Sequence, residues 1–143
     1  MRTGTVADES PDMTHRILLP EGWPRPKGYA HGIAAKGTSV FLGGQIGWNE
    51  KGVFASGFVG QVRQALENIV RLLAEAGTTP QSVVRLTWFV TDLAAYTGNL
   101  KEIGKAYREV FGAHYPAMTL VQVVALVEPD ALVEIEATAV IAD

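Results

Sequence analysis

Apolar residues along the chain recur at two different periods, and each change of period marks a change of element. From Phe58 onward, Val62, Ala65, Leu66, Ile69, Val70, Leu73 and Ala76 return at three- and four-residue steps, while Gln61, Arg63, Gln64, Glu67 and Arg71 occupy the other side. That spacing predicts an amphipathic helix, and Gly77 supplies its C-terminal stop. Val83–Val90 follows Pro80, is rich in β-branched and aromatic residues, and reads as a strand with Val84, Leu86, Trp88 and Val90 on one face. Thr91-Asp92 closes it. Helical steps resume through Leu100, Ile103, Tyr107, Val110 and Phe111 and end at Gly112.

The two ends of the chain are β in character. Residues 31–35 and 39–45 flank Lys36-Gly37-Thr38, a pattern that fits an antiparallel hairpin with a tight glycine turn. Upstream of it, a short apolar stretch over residues 13–19 runs into a loop at 20–28 that contains three prolines and two glycines. Residues 117–127 and 131–141 read as strands around a turn at Glu128-Pro129-Asp130. In the last strand Val133, Ile135, Ala137 and Ala139 alternate with Glu134, Glu136, Thr138 and Val140, so one face is apolar and the other carries two carboxylates. The order ββ, α, β, α, ββ predicts an α+β fold: a mixed sheet with both helices on one face. The opposite sheet face then needs cover, which self-association supplies, so a homo-oligomer is expected.

Composition narrows the functional classes. A chain of 143 residues with 48% hydrophobic content fits one domain, placed at residues 14–143, behind a polar tail at residues 1–13 whose composition favours disorder. Lysine and arginine total 12 against 15 acidic residues, for a net charge of −3, and no basic stripe forms, so nucleic acid is not an expected partner. There is no cysteine, hence no disulfide, thiolate nucleophile or cysteine metal site. No segment approaches the roughly 20 apolar residues of a membrane span and residues 1–13 hold no apolar signal core, so a cytoplasmic protein without membrane contact is expected. His15, His31 and His114 show no paired ligand spacing, which argues against a metal site. Gly43-Gly44 is followed by neither a helix start nor Lys-Ser/Thr, so it is not a phosphate loop.

Five strings occur in an order that resembles the YjgF/RidA family: Gly43-Gly44-Gln45-Ile46, Gln64 to Ile69, Val83 to Leu93, Tyr115-Pro116-Ala117-Met118-Thr119 and Val133-Glu134-Ile135-Glu136-Ala137. The resemblance runs from about Tyr29 to Ile141 and implies a chorismate-mutase-like fold, a homotrimer with a barrel-like centre, and ligand pockets in the clefts between subunits. It also implies hydrolysis of small reactive enamines and imines to a keto acid and ammonia, with no cofactor. In such members an arginine in a Pro-Ala-Arg-Ser string binds the substrate carboxylate, and a glutamate opening the Glu-Ile-Glu string serves the attacking water. Here the glutamate is Glu134, Gly28-Tyr29 matches the family's Gly-Pro-Tyr loop, and Asn99 matches a pocket asparagine. This chain departs from the pattern at three positions: Met118 stands in place of the arginine, Gly43 in place of a serine, and Leu120 in place of a cysteine.

A thioether cannot replace a guanidinium's fixed charge and paired donors. If the pocket takes a carboxylate, His31 and His114 are the nearest candidates for its cation, each with an alternative life as a loop residue. Glu134 is a candidate general base or a solvated strand glutamate. Tyr29 closes the pocket or merely anchors Pro26, and Trp48 forms an aromatic wall or a subunit contact. Trp88 sits at core periodicity. Two functions stand: a divergent deaminase with catalytic Glu134 and substrate contacts from Tyr29, His31, Gly43, Trp48, Asn99, His114 and Met118, or a non-catalytic trimer that binds a small molecule in apolar clefts. A ribonuclease role finds no basic and aromatic surface to support it.

Overall fold

The structure is a computed structural model, and it describes residues 15–143. The expected polar tail at residues 1–13 lies outside the described residues. Six strands and three helices follow in the order β1 (Arg16–Leu18), β2 (Gly32–Ala34), β3 (Thr38–Ile46), α1 (Gly57–Glu75), β4 (Val83–Val90), α2 (Leu93–Thr97), α3 (Leu100–Phe111), β5 (Ala117–Gln122) and β6 (Val133–Ile141). The α+β expectation holds: a mixed four-stranded sheet in the order β3-β6-β4-β5 carries α1 and α3 packed on one face.

Helix α1 buries Val62, Leu66, Ile69 and Leu73 against that sheet. Its end is fixed by Gly77 at φ +79°, where Gly77 N–H donates to Ala74 and Thr78 N–H to Leu73. Those two bonds satisfy carbonyls that the helix leaves open, and the left-handed conformation they need suits a residue without a side chain. Asp92 accepts from Ala94 N–H and starts α2, a short helix that the apolar spacing did not reveal.

Three expectations are corrected. The segments at 31–35 and 39–45 do not pair as a hairpin: β2 pairs antiparallel with β1, which grows from the apolar stretch at 13–19, and β3 pairs with β6. Gly37 explains the divergence, since at φ +145° it lies so close to the end of β6 that a Cβ would stand 1.9 Å from the Ile141 carbonyl oxygen. The strand beginning at Ala117 ends at Gln122, not at 127, because its parallel partner β4 ends at Val90, with Val123 N–H on the Val90 carbonyl as the last rung. On β4 the core takes Val83 with Leu86, Trp88 and Val90, while Val84 is only half-buried. An irregularity in the β4–β6 register between Val83 and Arg85 shifts the alternation there.

Candidate functional site

The loop that precedes β2 is tied to β5 by Ala30 N–H on the Pro116 carbonyl at 3.0 Å, which brings Tyr29 beside Met118. Between that loop, the sheet and α3 lies a cavity of about 410 Å³. Met118 and Trp88 line it from the sheet, Tyr29 and Tyr115 from the loops, and Tyr96 and Tyr107 from the helical side. The aromatics brace one another: Tyr107 stacks on Tyr115 with centroids 5.4 Å apart, and Trp88 meets Tyr96 edge-on at 6.0 Å. Burial raises the hydroxyl pKa of Tyr96 and of Tyr107, the latter pushed further by Tyr115, so both are neutral hydrogen-bond donors. Tyr107 already donates to the His114 carbonyl.

Tyr29 and Tyr115 also wall a second cavity, about 310 Å³, into which all three histidines of the chain and Arg25 converge. His15 Nε2 lies 2.9 Å from the Val140 carbonyl oxygen and His114 Nε2 lies 2.7 Å from that of Val83. A carbonyl only accepts, so in both rings Nε2 bears the proton. The His114 pKa is lowered, first by burial and then by the charge of His15, against the opposing pull of the Val83 carbonyl. His31 stands edge-on to both Trp23 and Tyr29.

The remaining candidates lie elsewhere. Trp48 lines a separate groove with Asn68, whose amide donates to the Ile46 and Trp48 carbonyls at 3.1 and 2.8 Å and so fixes the exit of β3. Asn99 opens α3 and directs its amide to the Ala95 carbonyl at 2.7 Å. Gly43 lies exposed on β3, where the register with β6 slips between Leu42 and Gln45. Glu134 occupies the sheet face opposite the helices, because its neighbours Val133 and Ile135 are buried beneath them. Its side chain crosses β3 over Gly44: a Cβ on Gly44 would stand 1.9 Å from Glu134 Oε2. Within one protomer the sheet therefore separates Glu134 from the cavity beside Met118.

Two contributors escaped the sequence reading. Arg108 lines the Met118 cavity from α3, and Gly104, one turn earlier on the same face, leaves room for it. A glycine inside a helix, four residues before an arginine, was the available signal, since such a glycine costs about 1 kcal/mol relative to alanine and calls for a reason. Gln61 is 4% exposed on α1 and grips the lead into β6: Leu132 N–H donates to its Oε1 at 2.8 Å and its Nε2 donates to the Asp130 carbonyl at 3.0 Å. Gln61→Leu is expected to leave both backbone groups unpaired and lower stability by about 2 kcal/mol, as read by urea unfolding. An unchanged midpoint would mean that water replaces the amide.

Fold and site together define a small α+β protein with an aromatic pocket under two helices and a carboxylate on the open sheet face. The chain belongs to the YjgF/RidA family: the family model described as Endoribonuclease L-PSP matches residues 24–141. A RutC family protein of Pyrococcus horikoshii is 35% identical over 86% of this chain and 95% of its own. The 3-aminoacrylate deaminase RutC of Acinetobacter baylyi is 33% identical over 89% of this chain and 98% of its own. Among solved structures, the Rid-family protein YyfB of Yersinia pestis superposes with a TM-score of 0.79 at 33% identity, covering 90% of this chain and all of that one. The family thus includes deaminases. Among the described residues, no helix is long and apolar enough to cross a membrane.

Proposed function

We propose that this protein is a RidA-type hydrolase that deaminates small reactive enamines or imines in clefts between the subunits of a homotrimer. The observation that carries the reading is the division of the site by the sheet. Glu134 lies half-buried on one face, over Gly44, and the cavity beside Tyr29 and Met118 lies under the other. Only two protomers placed side by side bring both to one ligand. The open face is suited to that contact, since Phe41 alternates with the buried-side Val40 and Leu42 and is 76% exposed.

In such a cleft the substrate is a protonated imine, reached from an enamine by protonation at carbon. Glu134 accepts a proton from water as the water oxygen bonds to the imine carbon. The resulting carbinolamine loses its nitrogen as ammonia, and the carbon keeps oxygen as a ketone. The step needs positioning, a base and exclusion of other nucleophiles, and draws on no cofactor. A cytoplasmic site fits this chemistry, where such intermediates arise from amino-acid breakdown.

The test is decay of 2-aminoacrylate generated in situ. The wild type is expected to exceed the uncatalysed rate, and Glu134→Gln to lose on the order of 100-fold or more of that acceleration while keeping its oligomeric mass. Equal rates for the two proteins would remove Glu134 from the chemistry. The apolar Met118 and its aromatic surroundings favour one other reading, a trimer that binds a metabolite without turnover. A wild type no faster than buffer would select it.

A further inference from the structure

The cavity beside Met118 has a polarity of its own. The charged residues that line it are Lys27 and Arg108, both cationic, and no carboxylate lines it. Arg108 has no ion-pair partner among the described residues, and its Nη1 lies back over Gly104, 3.2 Å from where a Cβ would be. Alanine at position 104 would press on the guanidinium, which would have to give by a few tenths of an ångström. Opposite it the walls are aromatic, with Tyr29, Tyr96, Tyr107 and Tyr115 around Met118. Trp88, 2% exposed, lines the same cavity, and its indole N–H is buried with no partner in the protein.

An unpaired guanidinium facing an aromatic chamber is matched by a ligand with one anionic end and one flat apolar end. A carboxylate fits the fork of an arginine through two parallel hydrogen bonds, and ring stacking fits the tyrosines. About 410 Å³ leaves room for a ring beside a carboxylate. We infer that Arg108, given clearance by Gly104, is the carboxylate anchor of this cavity, and that its ligand is an aromatic 2-imino or 2-oxo acid. Met118 lines the cavity from the strand and Arg108 from the helix that covers it. This rests on the reading that the cavity is the ligand cleft, but not on turnover.

Binding is therefore measured directly, by calorimetry on the intact protein, with phenylpyruvate, pyruvate and benzyl methyl ketone as probes. The wild type is expected to bind phenylpyruvate at least about 10-fold more tightly than pyruvate, which lacks the ring, or the ketone, which lacks the carboxylate. Arg108→Gln is expected to weaken phenylpyruvate roughly 10- to 100-fold and leave the ketone unchanged, with Arg108→Lys between the two. Lys27→Ala separates the two cations. Equal phenylpyruvate binding by wild type and Arg108→Gln, a loss that follows Lys27→Ala instead, or tighter binding of pyruvate than of phenylpyruvate would each overturn the inference. Arg108 is exposed and bonded to no other side chain among the described residues, so the variant is expected to fold as the wild type does. Loss of deaminase activity with retained phenylpyruvate binding would remove the proposed reaction and leave Arg108 in place.

Discussion

Gly47→Ala is expected to lower stability by about 3 kcal/mol, a fall in melting temperature of roughly 10 °C. Gly47 leaves β3 directly beneath α1, and a Cβ there would stand 2.4 Å from Gln61 Cβ and 2.6 Å from Gln61 Cα. The second of these is helix backbone, which no rotamer can move. The helix would have to lift from the sheet, and Gln61 would lose its hold on Asp130 and Leu132, so the lead into Glu134 would loosen as well. Gly43→Ala is the internal control. It lies four residues earlier in the same glycine-rich run with nothing within 4 Å of a new Cβ, and a change below about 0.5 kcal/mol is expected. Thermal unfolding of the pair checks the argument, and equal melting temperatures would show that α1 is free to shift. Gly43→Ser, which restores the family's residue, fits the same open space.

The contrast between these glycines also shows which features were legible in the sequence. Local periodicity is a property of one segment, and β4 was bounded to the residue at Val83–Val90 because its composition and flanks agree. Pairing is a property of two segments. Lys36-Gly37-Thr38 carries the composition of a hairpin turn, yet β3 finds β6 about a hundred residues later, since the packing of Gly37 on Ile141 is invisible from either end alone. The same holds at the site. Tyr29 and Met118 were placed together by resemblance and do share a cavity. His15, His31 and His114 have no common spacing, and only the crossing of β1, β2 and the loop before β5 brings them to one chamber. Arg108 was hidden for a further reason. On a helix whose outer face also carries Lys101, Lys105 and Glu109, one more arginine reads as solvated surface until the path of α3 over β5 is known.

Phe41→Glu is expected to dissolve the proposed trimer without unfolding the protomer. By alternation on β3 the ring of Phe41 stands away from the core that Val40 and Leu42 join, so its removal opens no cavity within the chain. It faces outward beside Thr138 on β6, and across the sheet Phe89 pairs with Val121, which is also exposed. Phe41 and Val121 are thus apolar side chains exposed on an otherwise polar sheet face, and cover by another copy removes them from water. Each Phe41 that becomes glutamate forfeits about 2 kcal/mol of burial and adds a carboxylate that resists desolvation. Light scattering should then return three times the 15.4 kDa chain mass for the wild type and the single-chain mass for the variant, with unchanged circular dichroism. Enamine turnover should vanish with the mass change if, as proposed, Glu134 and the Met118 cavity meet across a subunit boundary. A monomeric wild type would remove the self-association, and a monomeric variant that still turns over substrate would mean that one protomer holds a complete site.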